Sequence, residues 1–322
     1  MKKMQIIGLI AAGLVFTFVS VTSALTNSYI RNLNFDMFEG LGTYGTYSEY
    51  VGVVYIKGTM LEEEASFFST PTYDHKGTLA AIEEMKHAPN NKGILLYLDT
   101  PGGGVFESEE LYMKLMDYRE TTNRPIYVYM HGMGASGGYY ISMASDRNIY
   151  ANVNCWTASI GVIISYMNLH DLFEEFGIRD ITITSGEHKD MFGMGKDIEG
   201  MEKDNAILQS MVDESYDRFV EIIVKGRGMT DAQVRAIADG RIMTAKQAYA
   251  ADLIDGVKTY EEVKDIIRKD LGDDIVIFEP LASVDFWSQM FALANEFNKK
   301  SDTQVILEAY ERRGNGVLMY IC

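Results

Sequence analysis

Ser136 is the first residue whose position suggests chemistry. It lies in the run Pro125 to Asp146, P-I-Y-V-Y-M-H-G-M-G-A-S-G-G-Y-Y-I-S-M-A-S-D. Ile126 to Met130 is apolar, β-branched and aromatic and predicts a buried strand. His131 to Gly134 reads as a tight glycine turn, and Ala135 to Ala144 as an apolar helix. A hydroxyl at such a strand-to-helix junction faces free backbone N–H groups and the positive end of a helix dipole, where an alkoxide or a tetrahedral oxyanion is best tolerated. The plainer alternative is a helix N-cap.

A second glycine-rich turn follows the strand expected at Gly93 to Asp99. There Thr100-Pro101-Gly102-Gly103-Gly104 carries more glycines than a turn needs. A glycine run lets backbone approach a ligand and aim N–H groups at it. Gly102, alone or with Gly103, and Gly137, the residue after Ser136, form the natural pair of oxyanion donors. Glu107 to Glu120 is then an amphipathic helix. Two successive strand, glycine turn, helix units place both turns on one edge of a parallel sheet, where ligands bind in open α/β architectures.

A nucleophilic serine needs a base. Gly134-Ala135-Ser136-Gly137-Gly138 formally matches GxSxG, which would call for a downstream acid and histidine. The only histidines after Ser136 are His170 and His188. Lys189 is the other candidate, in the polar turn that follows an expected half-exposed strand at Asp180 to Thr184. An ordinary lysine, with a pKa of about 10.4, needs a shift of ~3 units, about 4 kcal/mol, to be neutral at pH 7.

The remaining elements frame these residues. Further strands are expected at Asn148 to Val153 and Ile160 to Asn168, a short helix at His170 to Phe176, a long helix at Gly200 to Lys225 and another opening at Thr230. A length of 322 residues with 47% hydrophobic content supplies one large core with an appendage. The net charge of −17 speaks against nucleic acid as a partner. Cys155 and Cys322 form no metal-ligand pattern, so no metal or organic cofactor is expected.

At the N-terminus no charge occurs between Lys3 and Arg31, and Ile6 to Val21 is densely apolar. The segment is a membrane anchor or a secretory signal, and either exports the body. We read it as a retained single-pass anchor in the cell membrane, with the body on the extracytoplasmic side; Thr22-Ser23-Ala24 would serve as a cleavage site in the other case. The resulting division is an anchor at 1–25, a juxtamembrane linker at 26–50, the main domain at 51–270, and a C-terminal extension at 271–322 with Trp287, Phe291 and Phe297 on a helix and an apolar tail.

Four ordered motifs, Asp99-Thr100-Pro101-Gly102-Gly103-Gly104, Gly134-Ala135-Ser136-Gly137-Gly138-Tyr139-Tyr140, Thr157-Ala158-Ser159-Ile160-Gly161-Val162 and Ser185-Gly186-Glu187-His188-Lys189-Asp190, resemble the signal peptide peptidase A family of membrane-anchored serine peptidases. The similarity spans roughly residues 50 to 265. Asp99-Thr100 departs from the family's usual Asn-Ser, and Met191-Phe192-Gly193-Met194 replaces its usual stretch after the lysine. The resemblance implies an α/β fold of the ClpP/crotonase type, a spiral of ββα units with an N-terminal transmembrane anchor and a helical C-terminal extension. It makes Ser136 the nucleophile and Lys189 the general base, with Gly102 and Gly137 as oxyanion donors and Ser159 orienting the lysine. It also implies a homo-oligomer, an octameric ring in the short form, that degrades signal-peptide remnants and other apolar peptides at the membrane. Such substrates are expected to add a strand beside Gly103, Gly104, Val105 and Phe106. The tail Val317 to Ile321 looks like such a substrate itself, able to occupy its own or a neighbour's site, or else to pack as a terminal strand.

Three other readings compete. A crotonase-type acyl-transfer enzyme shares the glycine loop, but the chain lacks a basic patch for CoA phosphates. A non-catalytic scaffold would fit a chain lacking Ser136 or Lys189, and both are present. A Ser-His-acid hydrolase would depend on His188.

Overall fold

The computed structural model describes residues 48–62, 73–279 and 319–321. The expected anchor, most of the linker and the helix expected around Trp287 lie outside the described residues. Among those described, no helix is long and apolar enough to cross a membrane.

The chain opens with β1 (Tyr50–Lys57), α1 (His75–His87) and β2 (Asn91–Thr100). After a short β3 (Gly102–Gly104) come α2 (Val105–Thr122), β4 (Ile126–Ala135) and α3 (Gly137–Ser142). β1, β2 and β4 pair in parallel at the centre of an eight-stranded mixed sheet. Their residues alternate between two buried faces. Ile94, Leu96 and Leu98 join Val128, Met130, Leu111, Leu115 and Tyr140 on one side, and Leu95 joins Val53, Tyr127 and Tyr129 on the other. Burial on both faces explains why β2 reads as an unbroken apolar run.

β4 divides its two halves between different partners. Val128–Met130 pairs with β5 (Ile149–Ala151), whereas Met133–Ala135 pairs with β6 (Trp156–Ala158). The strand therefore runs straight through His131-Gly132-Met133-Gly134, where the sequence predicts a turn. Asp99 explains part of this: a register shift occurs between Leu98 and Thr100, and the Asp99 carboxylate accepts the Met133 N–H at 3.1 Å. Continuing β4 carries Ser136 to the far edge of the sheet.

The rest of the chain covers this frame. α4 (His170–Glu175), α5 (Ile198–Arg227), α6 (Asp231–Arg235), β7 (Ile242–Thr244), α7 (Ala245–Ala250), β8 (Gly256–Val257), α8 (Tyr260–Leu271) and β9 (Val276–Phe278) follow in order. Phe219, Ile222 and Ile223 of α5 enter the larger core, and Val263 and Ile267 of α8 cover the opposite face. Two expected strands are corrected. Ile160 to Asn168 contributes one isolated bridge, at Ile163. Asp180 to Thr184 pairs with no strand among the described residues, so its backbone joins no ladder there; Ile181 and Ile183 are 79% and 95% exposed.

Candidate active site

Ser136 lies at the corner between β4 and α3, with φ 51° and ψ −113°. A serine is rarely held at positive φ, and the surroundings must enforce it. The Ser136 N–H donates to the Ala158 carbonyl at 2.7 Å, and its own carbonyl accepts the Tyr140 N–H at 2.8 Å. Its side chain makes no capping bond. The Ser136 Oγ is fully buried and has no hydrogen-bond partner among the described residues. Leaving a buried hydroxyl unpaired costs about 1–3 kcal/mol, so the capping role does not account for this residue.

The glycine loop lies directly beside it. Gly102 has φ +104°, and a Cβ there would overlap the Tyr320 carbonyl oxygen and fall 2.7 Å from the Gly137 nitrogen. Thr100 sets this loop: its Oγ1 donates to the Gly58 carbonyl at 2.6 Å and accepts the Gly102 N–H at 3.0 Å. The Gly102 N–H is thus occupied. The Gly103 nitrogen lies 3.1 Å from where a Cβ on Gly137 would stand, so Gly103 is the loop residue whose N–H adjoins Gly137.

The apolar tail fills the space in front of this loop. β10 (Met319–Ile321) pairs antiparallel with β3, placing Met319 against Gly104, Tyr320 against Gly103 and Ile321 against Gly102. On its other side, Met319 exchanges both backbone hydrogen bonds with Ile163 at 3.0 Å. The tail is therefore an added strand held between two others. One expectation is corrected here. Val105 and Phe106 begin α2, so their backbone follows a helix and added-strand pairing is confined to Gly102–Gly104.

The Tyr320 side chain occupies a buried pocket. Its ring stacks on Tyr140 at 4.7 Å and meets Phe219 at 4.8 Å between centroids. The hydroxyl donates to the Ser215 carbonyl at 2.8 Å. Tyr140 in turn donates to Glu109, which also pairs with Arg218 at 2.8 Å. The pocket is aromatic with one polar acceptor at its floor, a lining that suits a tyrosine.

Lys189 lies in an exposed turn, and its ammonium has no hydrogen-bond or ion-pair partner among the described residues. The structure does not join it to Ser136, whose Oγ is also unpartnered. Ser159 is buried at φ 50°, next to Ala158 at φ 63°, and its Oγ donates to the Gly240 carbonyl at 3.2 Å. It lines a pocket of about 500 Å³ with Ile163, Asp213, Tyr216 and Asp239.

The residues flanking Lys189 are fixed more firmly than the lysine. His188 Nδ1 meets the Asp204 carboxylate at 2.7 Å, and Lys196 bridges Asp204 and Asp190. Burial raises the Asp204 carboxyl, but hydrogen bonds from Lys196 and His188 outweigh it and hold it below the ordinary carboxylate range. A carboxyl lowered on folding contributes stability above its unfolded pKa of about 3.9 and loses it as pH falls through the folded value. Asp204→Asn is therefore expected to lower the Tm at pH 7, with the difference from the natural chain shrinking as pH falls below the unfolded value of about 3.9. A thermal-melt series across pH checks this; a difference that stays constant down to acid contradicts the clamp.

Sequence reasoning missed Asp204, Ile163 and Ser108. Ser108 could have been noticed, because with Leu111, Tyr112 and Leu115 it falls on the buried stripe of α2. Asp204 and Ile163 act through contacts distant in sequence and carry no local signal. Cys155 is buried, which pushes its thiol up to about 12. No group of three His, Cys, Asp or Glu side chains is placed to hold a metal ion among the described residues.

A mixed sheet with parallel central strands, beside which lie a glycine loop, an added strand and a buried serine corner, defines an α/β protein of the Clp protease type, and residues 52–155 match the Clp protease family model. Residues 119–272 match the model for peptidase family S49. The protein named "Putative signal peptide peptidase SppA" of Enterococcus faecium is 38% identical over 216 residues, 66% of this chain and 62% of that protein. A protein of Synechocystis named as a protease is 35% identical over 58% of this chain and 64% of its own length. Protease 4 of Haemophilus influenzae is 27% identical over 66% of this chain and 33% of its own. Over residues 119–272 the chain is thus similar to peptidase family S49, and the relatives it resembles include one named as a signal peptide peptidase. The chain spans less than two thirds of the length of each of these three relatives.

Proposed function

We propose that this chain is a serine endopeptidase that cleaves extended apolar peptides on the carboxyl side of an aromatic residue. The observation that carries the reading is the tail strand. It lies beside Gly102–Gly104, with the Tyr320 carbonyl oxygen at the Gly102 and Gly137 corner, next to a buried serine that has no partner among the described residues.

In this reading Ser136 Oγ attacks the carbonyl carbon of the residue seated as Tyr320 is, while Lys189 Nζ takes the hydroxyl proton. The carbonyl oxygen becomes an oxyanion held by the N–H groups of Gly137 and Gly103, with Gly102 supplying the backbone shape that exposes them. The proton passes to the departing amine as the C–N bond breaks. Water then releases the acyl group from Ser136 by the same steps. A second copy of the chain supplies the missing order around Lys189: the unpaired, exposed segment at Ile181 to Ile183 suits burial in a ring of subunits. Ser159 would orient the lysine there. An N-terminal anchor at 1–25 would hold the body at the outer membrane surface, where signal-peptide remnants are available.

A second reading is favoured by the His188–Asp204 pair, which has the form of the base and acid of a Ser-His-acid hydrolase. Its distinguishing requirement is His188 rather than Lys189.

If the tail occupies the substrate path, removing it frees the site. A chain ending at Asn315 is expected to hydrolyse a tyrosine-containing apolar peptide several-fold faster than the full chain. An unchanged rate would show that the tail is only a packing strand.

A further inference from the structure

Two buried side-chain atoms lack any hydrogen-bond partner among the described residues, the Oγ of Ser136 and the Oγ of Ser108. They flank the same residue. Ser136 precedes Gly137 in sequence, and a Cβ placed on Gly137 would stand 2.6 Å from Ser108 Oγ. That same position is 3.1 Å from the Gly103 nitrogen. The second unpaired hydroxyl thus lies beside Gly137 and close to the Gly103 nitrogen, the two backbone donors assigned to the oxyanion.

Ser108 has an ordinary way to satisfy itself and does not use it. A serine within a helix can donate to the carbonyl one turn earlier. Ser142 does so to Gly138 at 2.7 Å, and Thr122 to Tyr118 at 2.7 Å. Ser108 is fully buried in α2, yet makes no such bond. Nor does it serve only to leave room for Gly137. Alanine would leave the same room without burying an unpaired hydroxyl, which costs about 1–3 kcal/mol. Buried polar groups kept unpaired in this way collect at functional sites.

We propose that Ser108 is a positioning residue of the oxyanion hole: its uncommitted hydroxyl lies beside Gly137 and turns its O–H towards the carbonyl oxygen as negative charge builds there. The inference rests on the peptidase reading above. An O–H dipole beside Gly137, where Ser108 and Ser136 are both fully buried, acts on the tetrahedral state more than on the bound peptide, because only the former carries the charge. The effect should therefore appear in kcat.

The test compares the full chain with Ser108→Ala and Ser136→Ala on a tyrosine-containing apolar peptide. Inhibition by the aldehyde Val-Leu-Met-tyrosinal, which matches residues 317–320 and forms a tetrahedral adduct with a serine, is measured alongside. Ser108→Ala is expected to lower kcat by about tenfold to a hundredfold with KM within about twofold. Inhibition by the aldehyde should weaken by a similar factor, and the Tm should hold or rise, since an unpaired buried group has been removed. An undiminished kcat overturns the proposal, as does a loss accompanied by a lowered Tm and unaltered aldehyde binding. If Ser108→Ala fails to fold, Ser108→Cys, which keeps the volume and weakens the donor, is judged by the same kcat and aldehyde readings. Failure of the natural chain to turn over the peptide, or full activity in Ser136→Ala, would instead overturn the peptidase reading.

Discussion

Lys189→Ala is expected to lower kcat by roughly a thousandfold or more, although the lysine is exposed and has no partner among the described residues. The argument starts from Ser136. Its hydroxyl is buried, makes no capping bond and touches no base within its own described chain. A serine hydroxyl is a weak nucleophile until its proton is taken. The base must therefore arrive from a group free to move or from another copy of the chain. Lys189 has no competing partner among the described residues, whereas His188 is committed to the Asp204 carboxylate. His188→Ala is accordingly expected to keep most of the activity, and kinetics on the two single variants decides between them. Activity lost in His188→Ala and kept in Lys189→Ala would establish the histidine as the base.

Gly102→Ala is expected to abolish peptide hydrolysis and to expel the tail from the cleft. Two independent costs act together. The backbone sits at φ +104°, which a side chain rarely tolerates, and the added Cβ would overlap the Tyr320 carbonyl oxygen. The same Cβ would stand 2.7 Å from the Gly137 nitrogen, intruding between the carbonyl and its donor. A loss of kcat/KM of at least about a hundredfold follows from obstructing the Gly137 donor, and steric exclusion of the strand adds to it. The cross-strand amides of the tail should also lose protection from hydrogen exchange. Retained activity with a protected tail would show that the carbonyl does not sit at this corner.

Much of this site was legible in the sequence, for local reasons. The apolar runs of β2 and β4, the glycines after Pro101 and the serine before Gly137 each announce their geometry within a few residues. Ser136 at the strand-to-helix corner and the tail as an added strand both follow from such signals. What the sequence could not show depends on distant contacts. β4 continues through His131 to Gly134 because Asp99 and β6 hold its upper half. Asp180 to Thr184 has the alternation of a strand, but a strand also requires a neighbour, and the described residues offer none. Val105 and Phe106 continue an extended stretch in sequence, yet α2 begins there. The choice of Gly103 as the N–H beside Gly137 depends on Thr100, whose hydroxyl occupies the Gly102 N–H.

The most direct test of the central claim locates the nucleophile. The full-length chain is treated with a peptidyl fluorophosphonate carrying a tyrosine-like side chain at the reactive end, digested, and mapped by mass spectrometry. The account predicts a single adduct on Ser136, formed slowly or not at all in Lys189→Ala. An adduct on another residue, or equal labelling when Ser136 is replaced by alanine, would contradict it.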